Sequence, residues 1–444
     1  MNLRLAYGQS GLRLELPDDW DVTVIEPRFT PAVPHPDEQV LKALHRPIAS
    51  PPLGEWVRPG DRVGIVFSDI TRPLPRRLLL DVIIRELGQV PGVRITLFNA
   101  LGTHRPNTQA ELREMLGDSH VNDLRIVQND AFDPSTQVRL GVSSFGHQIF
   151  VNRELAACDA VVLTGFIEPH LFAGFSGGGK AIMPGMAGQR TVLGNHDAGM
   201  IGDPNAVWGI TRGNPVWEEI REITLKTASG TRAGGVFLVN VTLNRDKDIT
   251  GVFCGGLDEA HAEGCSRARE SCMAPVEAPF DIVVTTNSGY PLDLNVYQAV
   301  KGISAAARIV KKGGAIICAA ECREGIPGGS EFGRLLGSVR SPEEVLARIL
   351  TPGFLVQDQW QAHILSLIAK ETDVYLYSDK LSDKEIAGAL LRPCRDIPGT
   401  LSRLREKLGS SQREKPKARI CIMPEGPQTI PFIKSGTQYQ FPNL

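Results

Sequence analysis

The chain has 444 residues, which is longer than one ordinary hydrophobic core and favours two domains. With 42% hydrophobic and 22% charged residues it has the composition of a soluble globular protein, and its formal net charge of -2 gives no strong field to recruit nucleic acid or an anionic membrane. We recognise neither a signal peptide nor an apolar run of the roughly 20 residues that a membrane span needs, so we expect a cytoplasmic enzyme.

The N-terminal half is predicted to alternate strands and helices. An apolar strand over residues 62–67 leads to an amphipathic helix over 77–88 and a second strand over 93–98, which is a β-α-β order. Further strands are predicted over 160–163 and 237–243. Ligands bind beyond the carboxyl ends of strands in open parallel sheets, so the residues that follow these strands are the first functional candidates.

Polar groups follow three of these strands. Asp69, Thr71 and Arg72 come after the first, and His104 comes after the second. The third strand leads into residues 168–180, which contain a carboxylate, a histidine and a lysine. Each strand end therefore supplies groups able to bind an anion or move a proton.

Residues 165–196 form the most unusual stretch of the chain. Gly177, Gly178 and Gly179 stand directly before Lys180, and three adjacent glycines are best explained by a backbone that approaches a ligand closely. The pattern resembles a nucleotide P-loop, but Ala181 stands where a P-loop needs the hydroxyl that holds magnesium. A phosphate cradle that serves something other than ATP fits the sequence better.

A linker near residues 274–279 separates this half from a second series of strands and helices. We therefore predict an α/β fold of two domains with mostly parallel sheets, covering residues 1–275 and 276–414, with the active site in the cleft between them. Residues 415–444 are predicted to be a tail that packs back on the N-terminal domain. The eight cysteines lack the spacing of a metal site and are expected to be reduced.

Three of the nine histidines follow glycine-bearing turns near predicted strand ends, namely His104, His170 and His196. Gln298 and Lys301 share a helix face and, with Arg72, suggest a site for an anion. Two histidines acting on opposite faces of one carbon would suit a racemase or epimerase, with the third histidine binding a metal. A lyase, a dehydrogenase or a metal hydrolase could use the same set, so the residues alone leave the reaction open.

At these positions the sequence closely resembles the nickel-pincer lactate racemase family. The resemblance rests on five blocks in order: Ser68-Asp69-Ile70-Thr71-Arg72-Pro73, Gly102-Thr103-His104-Arg105, Glu168-Pro169-His170 with Ser176-Gly177-Gly178 and Lys180, Pro184-Gly185 with Asn195-His196, and Tyr297-Gln298-Ala299-Val300-Lys301-Gly302.

The resemblance implies a covalent cofactor on Lys180. This cofactor is pyridinium-3,5-bisthiocarboxylic acid mononucleotide, joined to the lysine as a thioamide, and its two sulfurs and a ring carbon bind nickel. His196 is implied to complete the coordination of the nickel. Six residues are implied to hold the nucleotide: Asp69, Ile70, Thr71, Arg72, Gly177 and Gly178.

The resemblance also implies the catalytic and substrate-binding residues. His104 and His170 are the implied acid/base pair, each serving one enantiomer while the α-hydride moves to the cofactor. The residues implied to bind the substrate are Arg72, Tyr297, Gln298, Lys301 and Trp360. The resemblance further implies a small 2-hydroxy acid substrate, such as lactate, malate or an aldonate, and separate enzymes that make the cofactor. Gly179 replaces a side-chain-bearing residue of some members, which we expect to widen the pocket.

Two other functions remain as alternatives. One is a metal-dependent lyase or hydrolase with His104, His170 and His196 on a single ion. The other is a nucleotide-binding protein without catalytic activity.

Overall fold

The computed structural model describes residues 1–28, 30–409 and 418–434. The chain divides into two compact units. Of the described residues, we call 30–196 and 209–271 the first unit; the second unit consists of residues 1–28, 197–208, 272–409 and 418–434. The chain therefore passes from the first unit to the second directly after His196.

The strands in the described residues follow in chain order: β1 (Asn2–Leu5), β2 (Leu12–Glu15), β3 (Val22–Val24), β4 (Arg62–Ser68), β5 (Arg94–Ala100), β6 (Arg125–Gln128), β7 (Gln137–Val142), β8 (Gln148–Asn152), β9 (Ala160–Phe166), β10 (Pro169–His170), β11 (Gly174–Phe175), β12 (Val236–Leu243), β13 (Ile249–Gly255), β14 (Met273–Val276), β15 (Phe280–Thr286), β16 (Val310–Ala319), β17 (Asp373–Tyr377), β18 (Arg392–Cys394), β19 (Ile420–Ile422) and β20 (Ile430–Ile433).

The α-helices in the same residues are α1 (Pro36–His45), α2 (Leu53–Trp56), α3 (Arg76–Leu87), α4 (Gln109–Leu116), α5 (Asp118–Asp123), α6 (Arg153–Ala156), α7 (Gln189–Asn195), α8 (Ala198–Gly202), α9 (Pro215–Ala228), α10 (Leu257–Cys272), α11 (Val296–Ala307), α12 (Glu331–Gly337), α13 (Pro342–Ile349), α14 (Gln359–Glu371), α15 (Asp383–Gly388) and α16 (Ile397–Gly409). A short 3-10 helix, Gly178–Ala181, carries Lys180.

The first unit is built on a six-stranded sheet in the order β13-β12-β9-β4-β5-β6. All neighbouring strands are parallel except β12 and β13, which are antiparallel. β4 and β9 are buried almost throughout, as expected for central strands covered on both faces. Phe67 and Phe237 are among the fully buried side chains of this core.

The order of this sheet determines where the candidate residues lie. β9, β4 and β5 are neighbours and run parallel, so their carboxyl ends meet at one edge of the sheet. The segments that begin at Asp69, Leu101 and Ile167 all leave from that edge. The predicted α/β fold with mostly parallel sheets is confirmed for this unit.

The second unit contains a six-stranded, fully parallel sheet in the order β18-β17-β16-β15-β19-β3. At one edge of this sheet, β19 and β3 lie side by side although they come from opposite ends of the chain: residues 420–422 pair with residues 22–24. Cys421 and Ile422 are fully buried there.

These pairings correct the predicted domain boundaries. Residues 1–28 belong with the C-terminal half because β3 hydrogen-bonds to β19 and completes the edge of its sheet. Residues 418–434, predicted as part of a tail that packs back on the N-terminal domain, likewise belong to the second unit, where they pair with β3, β14 and β15. Residues 415–417 and 435–444 of that tail lie outside the described residues. No described helix is long and apolar enough to cross a lipid bilayer.

Candidate active site

Asp69 and His104 form a hydrogen-bonded pair at the edge where β4 and β5 end. His104 Nδ1 lies 2.7 Å from Asp69 Oδ2, and the Thr71 hydroxyl donates to Asp69 Oδ1 at 2.8 Å. The Asp69 side chain is 4% exposed and that of His104 is 45% exposed. Burial raises the pKa of Asp69, but the hydrogen bond and charge of His104, together with the Thr71 hydroxyl, outweigh it and hold the pKa below its usual value. An ionised Asp69 accepts from Nδ1–H of His104, so the neutral form of the ring has its lone pair on Nε2, where it can act as a general base.

Arg76, which the sequence did not single out, holds the turn after β4. Its Nε donates to Ser68 O at 2.6 Å, and its guanidinium also donates to the carbonyl oxygens of Asp69 and Arg72. Burial lowers the pKa of Arg76 to about 10, which still leaves it charged near neutral pH. The side chain therefore fixes the backbone that carries Asp69. Its only sequence signal is an arginine at the start of an amphipathic helix, which is too common to be diagnostic.

Lys180 and His170 meet beside the glycine-rich turn. Lys180 Nζ lies 3.3 Å from His170 Nε2, and His170 Nδ1 accepts a hydrogen bond of 3.3 Å from Ala173 N–H. Burial lowers the pKa of Lys180 to about 7; the nearby charge of Arg72 acts in the same direction and Glu168 opposes it. Because His170 Nδ1 is an acceptor, Nε2 of the neutral ring carries the proton and donates it to a neutral Lys180 amine.

His196 follows α7 and is 5% exposed. Its Nδ1 donates to Val192 O at 2.9 Å, which leaves the lone pair of the neutral ring on Nε2. Burial and the charge of Lys180 lower the pKa of His196 to about 3, so the ring stays neutral at physiological pH. A neutral imidazole with one nitrogen held by a carbonyl is the usual state of a metal-ligating histidine.

Phe172 joins these groups into one cluster. Its ring makes edge contacts with His170, with ring centres 4.7 Å apart, and with His196, with ring centres 4.9 Å apart. Lys180 Nζ lies 5.8 Å from the centre of the same ring. Phe172 lies inside the stretch that the sequence singled out, but no pattern marked it, because phenylalanine is most often a core residue.

Neighbouring side chains leave no room for a Cβ atom at Gly177 or Gly178, the first two of the three glycines before Lys180. Gly178 N–H donates to Asn240 Oδ1 at 2.7 Å, and Cβ atoms added at Gly177 and Gly178 would lie 2.5 Å from Asn240 Oδ1 and 2.8 Å from His261 Cδ2, respectively. Asn240 was also missed, although an asparagine within the apolar strand β12 is a recognisable signal of a buried polar contact.

Gly179 does not face a pocket, contrary to our expectation. A Cβ there would lie 2.5 Å from Thr224 Oγ1 and 3.1 Å from Ile220 Cγ2, both on α9. The absence of a side chain at this position therefore allows close packing against α9 and does not widen a ligand site.

The four remaining candidates lie in the second unit. Tyr297, Gln298 and Lys301 are half-buried on α11, and Trp360 is 8% exposed on α14. Trp360 Nε1 donates to Tyr297 OH at 3.1 Å, so the two helices are joined at this point.

The structure thus brings the candidates together in two groups. The first unit holds ten of them: Asp69, Ile70, Thr71, Arg72, His104, His170, Gly177, Gly178, Lys180 and His196. The second unit holds Tyr297, Gln298, Lys301 and Trp360. Across residues 1–28, 30–409 and 418–434, no three His, Cys, Asp or Glu side chains are grouped so that they could hold a metal ion.

Comparison with known proteins agrees with the resemblance seen in the sequence. Residues 7–209 match the lactate racemase N-terminal domain, and residues 276–430 match the lactate racemase C-terminal domain. A lactate racemase of Lactiplantibacillus plantarum is 36% identical over 392 residues, covering 88% of this chain and 89% of the relative. A lactate racemase of Thermoanaerobacterium thermosaccharolyticum is 32% identical over 435 residues, covering 97% of this chain and 99% of the relative.

A solved structure has a similar fold over nearly the whole length of this chain. The lactate racemase apoprotein from Thermoanaerobacterium thermosaccharolyticum superposes with a TM-score of 0.88 at 30% identity, covering 98% of this chain and 100% of that one. Both domain models and both relatives thus agree over most of the chain, and the chain belongs to the lactate racemase family of isomerases.

Proposed function

We propose that this protein is a racemase or epimerase of 2-hydroxy acids that uses a nickel-pincer nucleotide attached to Lys180. The observation that carries the proposal is the cluster of Lys180, His170 and His196 around Phe172. This cluster supplies a nucleophilic amine, a proton carrier and a neutral imidazole within one small region.

Lys180 fits a covalent attachment. An amine must be neutral to act as a nucleophile, and an ordinary lysine with a pKa of about 10.4 is almost wholly charged near neutral pH. Burial and Arg72 lower the pKa of Lys180 to about 7, so a substantial fraction of the amine is neutral. The lysine is therefore suited to form a thioamide with a thiocarboxylate carbon, whose bond to oxygen breaks so that the oxygen leaves as water.

His196 fits nickel. Imidazole is a good ligand for this metal, and Val192 O holds Nδ1–H so that Nε2 presents the lone pair. The low pKa of His196 means that protons do not compete with a metal near neutral pH.

His104 and His170 are the proposed acid/base pair. With Nδ1–H held by Asp69, His104 can take the substrate hydroxyl proton at Nε2 and return it there. His170 lies beside Lys180 and would serve the opposite enantiomer; with the proton on Nε2 in this geometry, it can give a proton to the substrate oxygen as the acid of the pair. The bound cofactor supplies a reversible hydride acceptor, which avoids a carbanion at the α-carbon.

Binding of the substrate and of the nucleotide completes the proposal. Gln298 and Lys301 lie one helical turn apart on α11 and suit a carboxylate, with Arg72, Tyr297 and Trp360 as further contacts. We propose that the turn from Asp69 to Arg72 and the backbone at Gly177 and Gly178 contact the nucleotide. In the present geometry the Asp69 carboxylate binds His104 and the Thr71 hydroxyl, and Gly178 N–H binds Asn240, which leaves Arg72 as the strongest candidate.

The experiment uses protein purified from a host that makes the cofactor, with protein from a host that lacks the biosynthetic enzymes as the unloaded control. Single enantiomers of lactate, malate and several aldonates are incubated with each sample, and the products are separated by chiral chromatography. Lactate is tested first because the two relatives are named for it.

We expect racemisation or epimerisation of at least one acid by the loaded protein only. Lys180→Ala should abolish it, whereas Lys226→Ala, which removes an ordinary surface ion pair with Glu222, should not. Equal turnover by the unloaded protein would contradict the proposal.

A further inference from the structure

Glu219 is a fully buried carboxylate that no proposed step of the reaction uses. It lies on α9 with 0% exposure and accepts three hydrogen bonds, from Ser143 Oγ at 2.5 Å, His147 Nδ1 at 2.9 Å and Asn195 Nδ2 at 2.9 Å. Burying a charge is costly unless it is fully hydrogen-bonded, so this arrangement needs an explanation.

Asn195 connects Glu219 to the end of α7. It is the last residue of that helix, is completely buried and directly precedes His196. Asn195 Nδ2 donates both to Glu219 and to Val216 O, at 3.1 Å, which fixes the orientation of the amide. The last turn of α7 is therefore attached to α9 at two points.

His147 supports the same turn from another side. It lies at the tip of the β7–β8 hairpin, and a Cβ added at Gly194 would lie 2.8 Å from His147 Cγ. His147 also donates to Glu219, so the carboxylate holds both the ring that packs on Gly194 and the amide of Asn195.

The orientation of His196 depends on this turn. Its Nδ1–H donates to Val192 O, a carbonyl of the last turn of α7. Any rotation or fraying of that turn would release the imidazole and change the direction of Nε2.

We propose that Glu219 is a positioning residue for His196. Its carboxylate connects the β7–β8 hairpin and α9 to the last turn of α7, and this fixes the direction of the His196 Nε2 lone pair that would bind the metal. The inference rests on the proposed role of His196 as the nickel ligand. Partners that orient a metal-bound histidine typically change metal affinity by roughly 10- to 100-fold when they are mutated.

Glu219→Gln is the test variant. The amide has nearly the shape of the carboxylate, but its NH₂ group must face one of three hydrogen-bond donors. Glu222→Gln is the matched control, because Glu222 lies one turn further along α9 and accepts from Ser144 N–H and Oγ of the same hairpin, at 2.9 and 2.6 Å. Both variants remove one carboxylate that binds the hairpin, and only the first concerns Asn195.

The first readout uses cofactor-free protein labelled with ¹⁵N-histidine. We expect the His196 Nδ1–H to exchange with solvent about tenfold faster in Glu219→Gln, in line with the loss of an orienting partner, and to be unchanged in Glu222→Gln. Wild-type exchange in a folded Glu219→Gln protein would overturn the proposal. If that variant does not fold, Asn195→Ala replaces it, because this change leaves Glu219 its two hairpin donors, Ser143 and His147. Faster exchange of the His196 Nδ1–H is expected in this variant as well, and wild-type exchange would overturn the proposal.

The second readout is the release of nickel from loaded protein to a chelator. Glu219→Gln should release it about tenfold faster than wild type and Glu222→Gln. His196→Ala is included to separate a failure of the proposed nickel role of His196 from a failure of the proposed positioning role of Glu219. Wild-type retention by His196→Ala would contradict the nickel role of His196, and the exchange measurement on cofactor-free protein would still decide whether Glu219 positions the ring.

Discussion

Lys180 is the residue whose chemistry distinguishes this site from an ordinary anion-binding loop. Burial and the charge of Arg72 lower its pKa to about 7, so its amine should lose its proton far below the usual value for lysine of about 10.4. Reductive methylation with ¹³C-formaldehyde followed by an NMR pH titration measures this directly. We expect one methyl signal with a midpoint near 7 that is absent from Lys180→Ala.

The same titration checks the cause of the shift. Arg72→Ala removes a positive charge and should raise the pKa of Lys180, whereas Arg77→Ala, which removes an exposed arginine nearby in sequence, should not. A midpoint for Lys180 above about 10 would show that the amine is an ordinary solvated one.

Asp69 is expected to act through His104. In Asp69→Asn the amide no longer enforces the tautomer with Nδ1 protonated, so Nε2 loses its function as a base for part of the time. In loaded protein we expect kcat to fall by roughly 100-fold or more, since loss of the carboxylate in the comparable Ser-His-Asp triad is costlier still.

A second Asp–His pair provides the control for this measurement. His120 Nε2 lies 2.7 Å from Asp81 Oδ1 on the surface of the same unit. Asp81→Asn should leave kcat unchanged. An equal fall in kcat in Asp69→Asn and Asp81→Asn would contradict a specific role of Asp69, because loss of either Asp–His pair would then have the same effect.

The residue types of the site were readable from the sequence because they follow strand ends in a β-α-β pattern. His104, His170, Lys180 and His196 all lie in the first unit. The contacts among them were not predictable, since the pairing of Asp69 with His104 joins two separate loops and depends on the register of β4 and β5. Sequence spacing carries no information about such distances.

At the scale of elements, most strands and helices with clear hydrophobic periodicity were predicted within one or two residues, whereas the strand predicted over 160–163 continues to Phe166. The predicted strand 62–67 is Arg62–Ser68, and the predicted helix 77–88 is Arg76–Leu87. The β7–β8 hairpin was missed because its pattern is mixed and part of it is exposed. It proves important because it carries Ser143 and His147 to Glu219.

The packing of the Lys180 helix against α9 leads to a prediction about stability. A methyl group at Gly179 would lie too close to Thr224 Oγ1, so Gly179→Ala should lower the free energy of unfolding by about 1–3 kcal/mol, as overpacked sites do. Urea denaturation measures the change.

A control variant and a double-mutant cycle test whether the loss of stability in Gly179→Ala comes from the contact with Thr224. Gly235→Ala, where nothing lies within 4 Å of the new methyl, should change stability by less than about 0.5 kcal/mol. Adding Thr224→Ala should recover part of the loss at Gly179. Strictly additive effects would show that the two residues do not clash.

At the scale of the whole molecule, the family and the two-domain α/β architecture followed from the sequence, and the exact domain composition did not. The pairing of residues 22–24 with 420–422 joins parts of the chain about 400 residues apart, and no local pattern specifies it. The predicted location of the active site in a cleft between the domains stays a prediction, as do a cytoplasmic location and dependence on cofactor-making enzymes.

The second unit should lose stability in mild acid. His363 is 1% exposed on α14, and burial lowers its pKa to about 4, with Asp197 opposing the shift. Between about pH 6.5 and pH 4 the unfolded chain binds a proton that the folded chain does not, so the free energy of unfolding falls as pH falls. From about pH 7 to pH 5 this group should cost about 2 kcal/mol.

Urea denaturation at these two pH values compares wild type with His363→Gln and with His35→Asn, an exposed control. The His363 variant should lose most of this part of the pH dependence, and the His35 variant should keep it. The same pH dependence in all three proteins would contradict a neutral buried His363.

The central claim is that Lys180 carries the cofactor, and intact mass tests it most directly. Wild type and Lys180→Ala are purified from a host that makes the pincer nucleotide and are weighed by mass spectrometry. We predict an added mass that matches a sulfur-bearing pyridinium mononucleotide in wild type and not in the variant. An unmodified wild-type mass from such a host, or the same added mass in Lys180→Ala, would contradict the account.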